Sequence, residues 1–179
     1  MVSRLDSRSL VFVDEMGAHT SLAPLYGYSP RGQRAFCKIP RNRGTNTTLL
    51  SSMSSESMGP SMAVEGSTNK EVFEVYVERF LAPRLRAGQV VVMDNLSAHK
   101  GQKVRELIEE RGCELLFLPP YSPDFNPIEE AFSKIKRLLR TIGARTREGL
   151  MEAIGKALDA VSDRDVINFF TDCGYRVTV

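Results

Sequence analysis

Cysteine is scarce in this chain of 179 residues. Cys37, Cys113 and Cys173 are odd in number and no two form a C-x-x-C pair, which argues against a disulfide framework or a zinc site and for a reducing cytosol. No apolar run approaches the roughly 18 residues a bilayer demands. The opening M-V-S-R-L-D-S-R-S lacks the apolar core of a signal peptide. The expectation is a soluble cytoplasmic chain with no membrane partner. Charge of one sign is also missing: 24 Lys and Arg against 22 Asp and Glu leave a net +2, so only clustering can argue for a polyanionic partner. The 42% apolar and 26% charged content that remains is ordinary for one globular domain, and the length allows a real core.

Residues 9–15 (S-L-V-F-V-D-E) read as a buried strand, and 46–54 and 60–65 as two shorter ones separated by the turn-forming S-E-S-M-G. Residues 17–45, rich in Gly, Pro, Ser and Arg, read as a hairpin or irregular insertion. Thr68 and Glu71 form a capping box that opens a helix, with Val72, Val75, Tyr76, Phe80 and Leu81 down its apolar face and Gly88 ending the element. A strand at 89–94, a helix at about 101–111 stopping at Gly112, and a strand at 113–118 halted by Pro119-Pro120 follow. A helix then runs from Pro127 to about Ile142, and Thr146 and Ser162 read as caps of two more. Three consecutive strands imply an antiparallel meander, and strands alternating with helices imply parallel crossovers. The expected fold is α/β: a ribonuclease-H-like, mixed five-stranded sheet flanked by helices on both faces. In it the first and fourth strands are neighbours.

That neighbourhood gives three acidic residues their meaning. L-V-F-V-D ends at Asp14, V-V-V-M-D-N carries Asp94, and P-P-Y-S-P-D-F-N-P-I-E-E carries Glu129 and Glu130. Carboxylates brought together repel unless a cation intervenes. Divalent ions with hard oxygen ligands satisfy them, and a pair of ions can serve the attacking and leaving oxygens of phosphoryl transfer. Glu15 is a weaker ligand candidate, since adjacent strand residues face opposite sides. Either aspartate alone also reads as a solvated turn residue, and Asp94-Asn95 as a turn pair. Glu129 has its own simpler role: with Asn126 at the N-cap and Pro127 at N1 it falls at N3, where it can fold back onto the cap.

The stretches D-N-L-S-A-H at 94–99 and P-P-Y-S-P-D-F-N-P-I-E at 119–129, with V-F-V-D-E-M-G and Y-S-P-R-G upstream, resemble the catalytic core of mariner-like DDE transposases, in the bacterial insertion-sequence branch of the DDE superfamily endonucleases. In that family thirty-four residues separate the second Asp from the final Glu, which selects Glu129 over Glu130. The resemblance implies catalytic and metal-ligand roles for Asp14, Asp94 and Glu129 with two Mg2+ or Mn2+ ions, and DNA contacts near them to which His99 and Asn126 contribute. For His99, local packing at a helix start is the equal alternative.

Arg31, Arg34, Lys38, Arg41 and Arg43 decorate the insertion after the first strand; Lys134, Lys136, Arg137 and Arg140 follow Glu129, with Arg145 and Arg147 beyond. Ala131, Ile135, Leu138 and Ile142 would turn inward and leave the cations outward, as a solvated charged face or as phosphate contacts. Arg31, Arg34, Lys134 and Arg137 are the chosen DNA contacts, and the R-E-L-I-E-E helix at 105–110 is expected away from their track. By resemblance the chain is a transposase catalytic domain over residues 1–179, cleaving transposon ends and joining them to target DNA at TA dinucleotides, as a homo-oligomer on DNA in a bacterial cytoplasm. The helix-turn-helix recognition region is expected to be absent, and supplied by a separately encoded half. The alternatives are a non-catalytic remnant that binds DNA or subunits, and another ribonuclease-H-like nuclease.

Overall fold

The computed structural model describes residues 6–42, 44–119 and 122–177. Arg43 of the first basic cluster and Pro120 and Tyr121 of the proline-rich motif lie outside the described residues. Strands β1 (Leu10–Ala18), β2 (Thr47–Ser54) and β3 (Met58–Glu65) form the meander. Helix α1 (Lys70–Tyr76) leads to β4 (Val90–Met93) and α2 (Gln102–Glu109) to β5 (Glu114–Phe117). Helices α3 (Pro127–Ile142), α4 (Arg147–Asp159) and α5 (Asp163–Asp172) follow. The strand order is β3-β2-β1-β4-β5. β1 is antiparallel to β2 and parallel to β4, and β4 is parallel to β5. This is the mixed, ribonuclease-H-like sheet.

Side chains alternate across β1 and so divide the interior in two. Leu10, Phe12, Met16 and Ala18 face α3, α4 and α5, while Val11 and Val13 join Phe73, Tyr76, Val104 and Ile108 on the α1–α2 side. Helices therefore cover both faces. β1 does not stop near Asp14 as the sequence suggests; it runs on to Ala18 because β2 keeps pairing with it, from Asp14 opposite Ser51 to Ala18 opposite Thr47. What does stop is the parallel ladder with β4, whose last pair is Val13 and Met93. An apolar run ends where burial changes, not where hydrogen bonding does.

Two helix faces differ from the periodic reading. α1 is capped by Asn69, whose side chain accepts from the Val72 N–H at 2.9 Å, one residue after the expected Thr68. Its buried residues are Phe73 and Tyr76, followed by Val77 and Leu81, whereas Val75 and Phe80 are exposed. Beyond Tyr76 the chain widens into a π-helical turn, Val77–Leu81, and tightens into a 3-10 turn, Ala82–Arg84. Phe73 and Val77 therefore take inward places that a stripe through Val75 and Phe80 misses. On α3 the buried stripe is Ile128, Ala131, Phe132, Ile135 and Leu139, with Ile142 48% exposed. The expected caps of α4 and α5 are present: Thr146 accepts from Gly149 N–H, and Ser162 closes a capping box with Asp165.

Candidate active site

The parallel register places Asp14 and Asp94 side by side, since each is the residue immediately after the last β1–β4 pair, Val13 and Met93. β1 directs its even-numbered residues toward α3, so Asp14 points under the N-terminus of that helix. There its Oδ2 accepts from Asn126 Nδ2 at 2.8 Å, and its Oδ1 from the Glu15 N–H at 2.7 Å. Asp94 Oδ1 accepts from the Leu96 N–H at 3.2 Å and lies 2.5 Å from His99 Nδ1, a close contact without aligned hydrogen-bond geometry. The His99 ring is fully buried and packs on Phe73 at 4.1 Å between centroids. The two aspartates are thus steadied by side chains from different elements.

Burial pushes the Asp14 carboxyl up to about 6; the Glu15 N–H opposes this, the charges of Asp94 and Glu129 add to it, and His99 offsets a little. Glu129 stands on the first turn of α3 with its N–H on the Asn126 carbonyl at 3.0 Å. Its side chain is exposed and lines an acidic recess with Asp124, Glu130 and Asp172. Asp14 therefore feels the other two carboxylates through space, but the three do not close into a cage: among the described residues no group of three acidic, His or Cys side chains is set to hold a metal. Chemically the donor set still fits a divalent cation. Its ligands are hard carboxylate oxygens, and placing like charges side by side favours a bound positive charge.

The other predicted positions fall into three groups. His99 and Asn126 are buried, at 0% and 3% exposure, and both lie against the aspartates. Lys134 is committed to Asp165 on α5, whose carboxyl it holds down at about 2 together with Ser162. Arg145 donates to the carbonyls of Thr20 and Leu22, and Arg147 pairs with Glu65. Arg31, Arg34, Lys38 and Arg41 are exposed on the irregular insertion between β1 and β2. Arg137 and Arg140 line, with Leu25 and Tyr26 of that insertion, a groove of about 400 Å³. Arg105, on the helix expected away from the DNA track, shares a groove of about 340 Å³ with Lys100, Phe117 and Asn95, the neighbour of Asp94. Sequence periodicity carries no signal for that approach, because it depends on where the α2 crossover lands.

Residues 9–150 match the family model described as DDE superfamily endonuclease. The Tcb1 transposase of the nematode Caenorhabditis briggsae is 30% identical over 121 residues, 65% of this chain and 43% of that protein. In fold, the chain superposes on a pre-cleavage Mos1 transpososome with a TM-score of 0.74 at 17% identity, covering 93% of this chain and 53% of the other. A mariner Mos1 paired end complex with Mg superposes with a TM-score of 0.67 at 18% identity, covering 96% of this chain and 57% of the other. The chain spans about half the length of these relatives, and the structural likenesses, at such identities, speak to fold alone.

Proposed function

This chain belongs to the DDE superfamily endonucleases, and from that premise we propose that it is the catalytic domain of a transposase. It would cut DNA at a transposon end and join the freed 3′-hydroxyl to target DNA. The observation that carries the proposal is the adjacent placement of Asp14 and Asp94, a carboxylate pair steadied by a neutral amide and lying beside a buried imidazole, with no lysine or arginine paired to it among the described residues. Asp14 and Asp94 would hold the divalent cation from the sheet edge, and Glu129 from α3. When bound, Mg2+ or Mn2+, in a pair of ions, would supply positive charge against the attacking and leaving oxygens of the phosphodiester. Magnesium is named in a Mos1 neighbour of the same fold, which supports that choice.

The chain's own part is binding and orientation. Arg137 and Arg140 on α3, with Arg31 and Arg34 on the insertion, would contact phosphates and set the path of the duplex without reading its sequence. The activity is proposed for a homo-oligomer on DNA, with end recognition supplied by a further segment or a separate polypeptide. Placement in the bacterial insertion-sequence branch rests on the D-N-L-S-A-H and P-P-Y-S-P-D-F-N-P-I-E wording alone. The test is Mg2+-dependent nicking and joining of transposon-end duplexes. Asp14→Asn, Asp94→Asn and Glu129→Gln are each expected to fall to the level without metal. Wild-type rates in the two aspartate variants would refute the assignment.

A further inference from the structure

Asn126 sits directly before α3, where an asparagine side chain ordinarily accepts from the second or third N–H of the helix. It makes no such bond. Its amide is instead turned inward and donates to Asp14 Oδ2 at 2.8 Å, 112 residues away in sequence. Forgoing a side-chain cap costs a helix about 1 kcal/mol. A residue that breaks a local rule inside an otherwise consistent fold is commonly serving a site.

The geometry at Asp14 says what the service is. Asn126 holds one carboxylate oxygen and the Glu15 N–H the other, which fixes the plane of the group. Each oxygen keeps a further lone pair. Both donors are neutral, so the carboxylate is oriented while its charge stays available to a cation; a lysine or arginine there would compete with it. Behind Asn126 stands Tyr175, 4% exposed, whose hydroxyl donates to the Phe125 carbonyl at 2.8 Å. The Tyr175 ring rests on Phe12, with centroids 5.4 Å apart, and on Phe170 at 5.7 Å. Phe12 precedes Asp14 by two residues on the same face of β1. One aromatic therefore ties the turn that carries Asn126 to the strand that carries Asp14.

We propose that Asn126 and, behind it, Tyr175 are positioning residues that hold the Asp14 carboxylate in the orientation its cation needs. This rests on the metal-site reading above. The conservative probes are Asn126→Ser, which supplies a good helix cap too short to reach Asp14, and Tyr175→Phe, which keeps the ring and removes the hydroxyl. Mn2+ binding to the protein without DNA is measured by the electron paramagnetic resonance of free Mn2+, and Tm is recorded alongside. Losing a residue that orients a ligand weakens metal binding by about 10- to 100-fold. Asn126→Ser should fall in that range with Tm unchanged or raised, and Tyr175→Phe should weaken binding a few-fold. Wild-type protein binding Mn2+ with both variants binding equally tightly would overturn the positioning role and leave the metal site standing. Loss of folded structure in both variants, in step with affinity, would make the roles purely architectural and overturn it too. A wild type that binds no Mn2+ would instead remove the metal site itself.

Discussion

Asp14 is a carboxylate that the fold holds at a disadvantage whenever no cation is present. Raised from 3.8 to about 6, mainly by burial, it takes up a proton more readily in the folded chain than in the unfolded one. Its contribution is fully favourable below about pH 4, declines as pH rises toward about 6, and is lost above that. The difference amounts to no more than about 3 kcal/mol. Metal-free Asp14→Asn is therefore expected to melt above the wild type at pH 7.5 and level with it near pH 4. Added Mg2+ should raise the Tm of the wild type and not of the variant. Thermal melts over that pH range, with and without metal, check both statements; a variant less stable at pH 7.5 would contradict them.

The helices show how local rules and packing share the work of placing residues. α3 ends in a left-handed Gly143, φ 62°, whose N–H closes on the Leu139 carbonyl at 2.9 Å, so its C-terminus was legible from glycine alone. Which residues it buries was less so. Leu138 and Ile142 are chemically as apolar as Leu139, and a stripe from Ile135 can be drawn through either. Packing against the core under the sheet takes in Leu139, 1% exposed, and leaves Ile142 48% exposed. Leu139→Ala is accordingly expected to cost about 2–5 kcal/mol and Ile142→Ala well under 1. Denaturant melts of the two variants check this. α1 was misread in a comparable way: its cap lies one residue later and a π turn follows it.

Across the whole molecule the charges matter by position, since their sum is only +2. Lys134, Arg145 and Arg147 are tied to neighbours within the fold, whereas Arg137 and Arg140 line one groove with exposed Tyr26. Leu25 and Tyr26 of the insertion thus share a groove with Arg137 and Arg140 of α3. The double variant Arg137→Ala/Arg140→Ala is expected to weaken duplex binding equally across sequences and to lower the slope of log K against log salt by about 2. Lys134→Ala should leave the slope alone and lower Tm. Fluorescence anisotropy titrations at several salt concentrations separate the two.

Alternating strands and helices, the caps at Thr146 and Ser162, and three acidic residues in family spacing were all readable from the chain, because hydrophobic period and capping chemistry are local and motif spacing is a property of the string. The adjacency of Asp14 and Asp94 was also expected, since neighbouring first and fourth strands imply it; tertiary structure alone decided that Asn126 and His99 turn inward to them and that Lys134 belongs to Asp165. Those outcomes depend on strand register and on how helices dock. Register and docking are set by burial summed over many residues distant in sequence, and no single stretch of sequence contains that sum.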